Sequence, residues 1–437
     1  MRRAELTALV CCDLGAIVRG RAVLTDELEE HLAHGIGWVP ANHSLTPLGS
    51  LAQESPFDSR GDLRLLPDAD TRARVDGGGG EPDLDMVLCD IVETDGSPWS
   101  CCPRLFLRAA LRELEQEFSL RVQCSFEHEF QLLREDDAGL PFSLQAQRLA
   151  EPFASLLMAA LGQAGVQPER FFAEFAPHQY ELPVAPAEGL AGADRAVILR
   201  EVVRDVARSN GLRATFVPLL DPSGAGNGVH IHVRLLDAAG APALYEQGSP
   251  AQMSALGMSF AAGILGHARA LSALTAPSPV SGMRLAPHHW SAGAVSLGER
   301  NREALLRIPP LVALGGGELA RQLRLEYRGA DAAANPYLAL GAIVRAGLDG
   351  LRRELPPPPL LEVDPSALDG PEAQRFGVGA LPATLALALE ALSGDDTVRG
   401  WMDARMYEAY VGIKRAELEV ARKLETGEVC SRYAHIY

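Results

Sequence analysis

The chain has 437 residues, 47% of them hydrophobic, and a formal charge of −17 at pH 7. This length exceeds one ordinary hydrophobic core, so two domains are expected. The acidic balance excludes a partner gripped by its phosphate backbone, hence no nucleic acid; no apolar run approaches the roughly 20 residues of a membrane span, hence no membrane.

The N-terminal stretch lacks the basic, apolar and small-residue succession of a secretory signal, which gives a cytoplasmic expectation. Seven cysteines, with the adjacent pairs Cys11-Cys12 and Cys101-Cys102 and no Cys-x-x-Cys, read as structural thiols in a reducing compartment. Before residue 104, Gly/Pro-rich stretches such as Asp76 to Pro82 separate short β-like runs, and Leu84 to Val92 alternates as a strand does. Arg104 to Phe118 then places apolar residues at helical spacing. A small β-rich domain over 1–103 and a large one over 104–437 are therefore expected. Within the latter, Val122 to Leu133 reads as a strand, Ala193 to Ser209 as a helix stopped by Asn210-Gly211, and Ala214 to Pro218 as a further strand. Pro356 to Pro359 close a helix and open a loop. No internal repeat or heptad is visible, and the pattern is α+β, not doubly wound.

On a strand, Glu127 and Glu129 share one face about 7 Å apart, inside a run that also holds Phe126, Phe130 and Leu132. Two like carboxylates on a half-buried face are costly unless a cation neutralises them; taken singly, Glu-x-Glu is usually a solvated strand face. Glu174 and Glu181 add two acids around a turn at Pro177, which alone would be a surface turn. Gly226 to Val233 reads Gly-Asn-Gly-Val-His-Ile-His-Val, with His230 and His232 on one face after a glycine-rich turn. Each histidine alone is as readily a satisfied core residue. Taken together, these acids and imidazoles suit a hard divalent cation such as Mg²⁺ or Mn²⁺.

The ordered blocks Phe126-Glu127-His128-Glu129-Phe130, Glu174 to Glu181, Ala193 to Ala196, Leu212 to Phe216, Gly228 to His232, Gly298 to Arg302 and Arg324 to Tyr337 resemble the glutamine synthetase superfamily from about residue 84 to 350. The resemblance implies a small β-grasp-like N-terminal domain and a large catalytic α+β domain. It implies that Glu129, Glu174 and Glu181 form one metal site, and Glu127, His230 and Glu326 a second facing the ATP phosphates. Arg284, Arg302 and Arg328 match arginines that bind the glutamate carboxylates and the developing acyl phosphate; His232, Arg307 and Arg324 match positions beside the ATP phosphates. The implied cofactors are ATP and two to three Mg²⁺ or Mn²⁺ per site, and the implied assembly is a homo-oligomer of stacked six-membered rings.

Departures from the family pattern bear on the substrates. Trp290 stands where the ammonium-deprotonating glutamate is usual, and an indole cannot accept that proton. The N-terminal ammonium-binding aspartate is replaced by the stretch holding Asp58 and Asp62. Ala225 stands for an asparagine that contacts the amino acid, and His178 for a turn glycine. The expected activity is thus an ATP-dependent ligase joining the γ-carboxyl of glutamate, or a close analogue, to an organic amine, similar to γ-glutamylpolyamine and γ-glutamylalkylamide synthetases. Authentic glutamine synthetase and a catalytically inactive oligomer are the alternatives.

Overall fold

A computed structural model describes residues 3–77, 82–286 and 291–437. The N-terminal part folds as one six-stranded sheet from β1 (Leu6–Cys12), β2 (Val18–Leu24), β3 (Ile36–Trp38), β4 (Leu63–Pro67), β5 (Ala73–Val75) and β6 (Leu84–Glu93). Its path is β2-β1-β6-β4-β3, with β5 also on β6. The pairing of β1 with β6 is parallel, while β2 returns antiparallel on β1 through a turn in which the Asp13 carboxylate accepts the N–H groups of Gly15 and Ile17. Leu9, Leu65, Val87 and Ile91 are buried at its centre.

The amphipathic helix expected from Arg104 begins one residue earlier, at Pro103, where a missing N–H costs nothing in the first turn. Its Leu107, Ala110 and Leu114 are buried at helical spacing against the helix Pro336–Arg352. That second helix ends before the four prolines, as the sequence reading expects.

The remaining strands are β7 (Arg121–Leu132), β8 (Phe172–Ala173), β9 (Gln179–Leu182), β10 (Ala187–Glu188), β11 (Ala214–Thr215), β12 (Val229–Leu236), β13 (Ala294–Glu299), β14 (Ala304–Ile308), β15 (Leu325–Ala330) and β16 (Gly379–Ala380). They form a ten-stranded sheet in the order β16-β13-β14-β15-β12-β7-β9-β8, with β10 and β11 on β7. This is the expected α+β architecture. The alternation of β7 divides its residues between two sides. Phe126, His128 and Phe130 pack into the core, where the Phe130 ring lies 5.6 Å from Phe216 and 5.9 Å from Tyr180, centroid to centroid. Glu127 and Glu129 face the other way.

Two expected boundaries move. The helix read from Ala193 starts at Leu190, after Gly189 at φ +53°. The strand read over Ala214 to Pro218 stops at Thr215 because its next backbone groups are engaged elsewhere: Asn227 donates its side-chain amide to the Val217 carbonyl at 2.9 Å and its own N–H to the Pro218 carbonyl at 2.9 Å. The seven cysteines are all buried and free. Among the described residues, no helix is long and apolar enough to cross a membrane.

Candidate active site

The register of five adjacent strands writes the site. Glu181 on β9 is opposite Glu129 on β7, Glu127 on β7 is opposite His230 on β12, and His232 is opposite Glu326 on β15, which is opposite Arg307 on β14. Because side chains repeat every two residues along a strand, these groups, Arg328 on β15 and Arg324 just before it emerge on one face.

Three of them converge as a metal cage would: one ligand atom from each of Glu127, Glu181 and His230 lies within 4.8 Å of the others. The cluster draws one member from one implied metal set and two from the other. His230 Nε2 is 3.9 Å from Glu129, its Nδ1 is 3.9 Å from Glu326, and Nε2 is a buried nitrogen with no hydrogen-bond partner. Burial lowers the His230 pKa to about 3, so the imidazole is neutral and able to donate a lone pair. Glu181 is pushed well up by burial and then by its hydrogen bond with Glu127. Burial raises Glu174 to about 7, with Glu129 and Glu127 adding to the rise. Crowded, buried carboxylates beside a neutral imidazole whose Nε2 has no partner are the donor set that Mg²⁺ or Mn²⁺ satisfies, so these residues fit the cation.

The cationic side is equally organised. Glu326 accepts Arg307 at 2.7 Å and Arg328 at 2.5 Å. Burial alone would raise its pKa, but His230 and Arg328 hold it down at about 2. Arg328 also donates Nε–H to the Arg302 carbonyl at 2.9 Å. His232 donates from Nε2 to Glu127 at 2.7 Å and receives Arg324 Nε–H on Nδ1 at 3.1 Å, which selects the Nε2–H tautomer. Arg284 is fully buried; it donates to the Ala330 carbonyl at 2.7 Å and lies against Gly226 and Gly228. A cavity of about 390 Å³ opens among Glu129, Glu174, Glu181, His230, Arg302 and Arg328. Ala225 lines it, while Arg307, Arg324, His232, Glu127, Glu326 and Arg284 are not among its lining residues.

Several supporting residues were not singled out from the sequence. The Gln179 side-chain amide donates to the Gly226 carbonyl at 2.8 Å and Asn227 Oδ1 at 3.0 Å, and Gly228 N–H donates to Glu129 at 2.8 Å. Gln131 and Gln179 face each other across β7 and β9; two glutamines on strands that also carry Glu127, Glu129 and Glu181 were the available signal. His178 adopts φ +51°, the region that suits glycine, and its Nε2 lies 3.0 Å from the Asp136 carbonyl oxygen. Asp58 is exposed and clamped by Arg60 at 2.9 Å, and Asp62 is exposed. Trp290 lies outside the described residues.

Antiparallel strands that present acids, a neutral imidazole and paired arginines to one cavity suit an enzyme that handles phosphoryl groups with divalent cations. The chain belongs to the glutamine synthetase family: residues 100–431 match its catalytic domain and residues 1–99 its N-terminal domain. It is a carboxylate–amine ligase of that family, which works with ATP and divalent metals. A gamma-glutamylpolyamine synthetase of Streptomyces coelicolor is 33% identical over 98% of this chain and 93% of its own length. A glutamine synthetase of Methanocaldococcus jannaschii is 30% identical over 85% and 83%. A solved structure of a novel glutamine synthase homolog superposes with TM-score 0.93 at 45% identity, covering 100% of this chain and 99% of that one. Ligand-free GmaS gives 0.82 at 26% identity, covering 98% and 96%.

Proposed function

We propose that this chain joins the γ-carboxyl of glutamate, or a close analogue, to an organic amine through a γ-glutamyl phosphate formed from ATP. The observation that carries the reading is the cavity in which a cation-type donor set faces Arg302 and Arg328; likeness to a gamma-glutamylpolyamine synthetase supports an organic amine as acceptor.

In the first step a γ-carboxylate oxygen attacks the terminal phosphorus of ATP and ADP leaves. In the second the amine nitrogen attacks the acyl carbon, phosphate leaves with the bonding pair, and the ammonium proton is released. Arg328, fixed by Glu326 and the Arg302 carbonyl, and Arg302 would hold the transferring phosphoryl group, since such transfer depends on positioning and on neutralising charge over several oxygens. Arg284 would bind the amino acid's carboxylate, and Arg307, Arg324 and His232 would face the nucleotide phosphates. Glu129, Glu174 and Glu181, and Glu127, His230 and Glu326, would hold two to three Mg²⁺ or Mn²⁺; bound there, the cations screen the phosphate oxygens. The reading includes a division into domains 1–103 and 104–437, a cytoplasmic location and assembly into stacked six-membered rings.

Relatives that are glutamine synthetases favour ammonium as a second reading. The test is ATP- and glutamate-dependent phosphate release across a panel of alkylamines, diamines, arylamines and ammonium. At least a tenfold higher kcat/KM for an organic amine, about 1.4 kcal/mol of preference, is expected; equal or better use of ammonium replaces this reading with the second.

A further inference from the structure

Glu303 precedes β14, between Arg302, which lines the catalytic cavity, and Ala304, which pairs with Ala294 on β13. Glu303 lines the catalytic cavity and also a second cavity of about 180 Å³ beside it. The second cavity is walled by Gly293, Ala294, Val378, Gly379 and Ala380, from the row in which Ala304, Ala294 and Ala380 stand abreast on three strands. These walls are small and apolar. The other acid there, Asp364, already accepts the Ser366 N–H at 2.8 Å and hydroxyl at 2.7 Å.

Glu303 is different. It is half-buried, and only its backbone N–H is engaged, donating to Asn301 Oδ1 at 3.1 Å; its carboxylate has no hydrogen bond or ion pair among the described residues. A half-buried carboxylate in that state is short of a cation, because desolvation is costly without an opposite charge. A largely apolar recess whose mouth carries Glu303 matches an amine with a hydrocarbon chain: the chain sheds water in the recess and the ammonium meets the acid.

We propose that Glu303 recognises the incoming amine as its ammonium form, with the alkyl chain in the adjoining apolar cavity and the nitrogen toward the site of acyl phosphate formation. This rests on the organic-amine reading and assigns its specificity to one residue and one recess. It requires no group from the segment that carries Trp290.

The test compares n-butylamine, methylamine and ammonium with the intact protein. Glu303→Gln removes the charge while preserving shape, and the KM for n-butylamine should rise at least tenfold while the KM for ATP changes less than twofold. Ala380→Leu is a second, independent variant: Ala380 is exposed, lines the recess and stands opposite Ala294 in the row of small residues, so a longer side chain there fills the recess. It should lower kcat/KM for n-butylamine at least tenfold more than for methylamine. If the wild type prefers n-butylamine but both variants leave that preference intact, Glu303 and the recess are not the recognition site, while the organic-amine reading stands. If the wild type prefers ammonium, the organic-amine reading falls and this assignment with it. Should Glu303→Gln fail to fold, the ratio measured with Ala380→Leu decides.

Discussion

Glycine at position 226 is fixed by what passes over it. A Cβ there would lie 2.6 Å from Arg284 Cγ and collide with the Pro218 carbonyl oxygen, so Gly226→Ala must displace the Arg284 stem or the loop that Asn227 ties to Pro218. The expected outcome is a rise of at least tenfold in the KM for glutamate and a loss of about 1–3 kcal/mol from overpacking, read by steady-state kinetics and urea unfolding; an unchanged KM would detach Arg284 from amino-acid binding. Nearby Asp331 makes a second case. Burial raises its pKa to about 6 against the opposing charge of Arg284, and its Oδ2 has no hydrogen-bond partner. The folded state therefore holds this proton more tightly than the unfolded chain, so the contribution is fully present below about pH 4 and is lost as pH rises through about 6, by about 3 kcal/mol. Asp331→Asn should flatten the dependence of unfolding free energy on pH between 4.5 and 7.5 by about that amount, and an unaltered slope would assign it to other groups. In the sequence Gly226 is legible as part of a glycine-rich turn, but what passes over it is not. Asp331 is an ordinary acid in an alanine-rich stretch, and only its enclosure by residues such as Ser281 and Arg284, some 50 positions earlier, makes it unusual.

At the scale of elements, legibility followed the length of the periodic signal. In β7 and β12 the alternation of acids or histidines with apolar residues runs far enough to fix both the strand and the face, and the register then brings Glu127 to His230 without further information. The two-residue strands β8, β10, β11 and β16 have no periodicity to read, and their pairing is decided by neighbours far along the chain. The helix Ala404–Ala421 does carry a helical period, with Met406, Ala409, Tyr410 and Ile413 buried, but what its buried face meets is decided far along the chain. It buries Lys414, one of only two lysines in the chain, in an ion pair with Glu417 at 2.7 Å, both side chains fully enclosed. Tyr433, from the helix Thr426–Ala434, donates to the other Glu417 oxygen at 2.8 Å. Removing one partner from such a pair strands a buried charge. Lys414→Met is expected to cost about 3–5 kcal/mol, whereas Lys414→Met with Glu417→Gln should recover much of it, because the carboxylate is then gone as well. Urea unfolding of the three proteins reads this directly; equal destabilisation by the single and double variants would show that packing, not charge, holds the two helices.

For the whole molecule, the distribution of exposed apolar side chains bears on assembly. Leu140 and Phe142 are 72% and 52% exposed, and the Phe142 ring lies 6.5 Å from that of Phe175, which lines the catalytic cavity next to Glu174. A soluble chain rarely leaves neighbouring large apolar groups in water unless another surface covers them. Their place at the rim of the cavity fits the proposed rings, in which a second subunit would complete each site, and closed symmetry would leave no such patch uncovered. Light scattering of the purified protein should therefore give a mass near a multiple of six subunits. Leu140→Glu with Phe142→Glu should shift it to smaller species, because charges in a closed apolar contact are strongly unfavourable. Phosphate release should fall in parallel with the mass as these species are titrated by dilution. A fully active monomer would show that the site is complete within one chain and that the rim serves another purpose. Loss of activity without a change in mass would place the two residues at the substrate entrance instead.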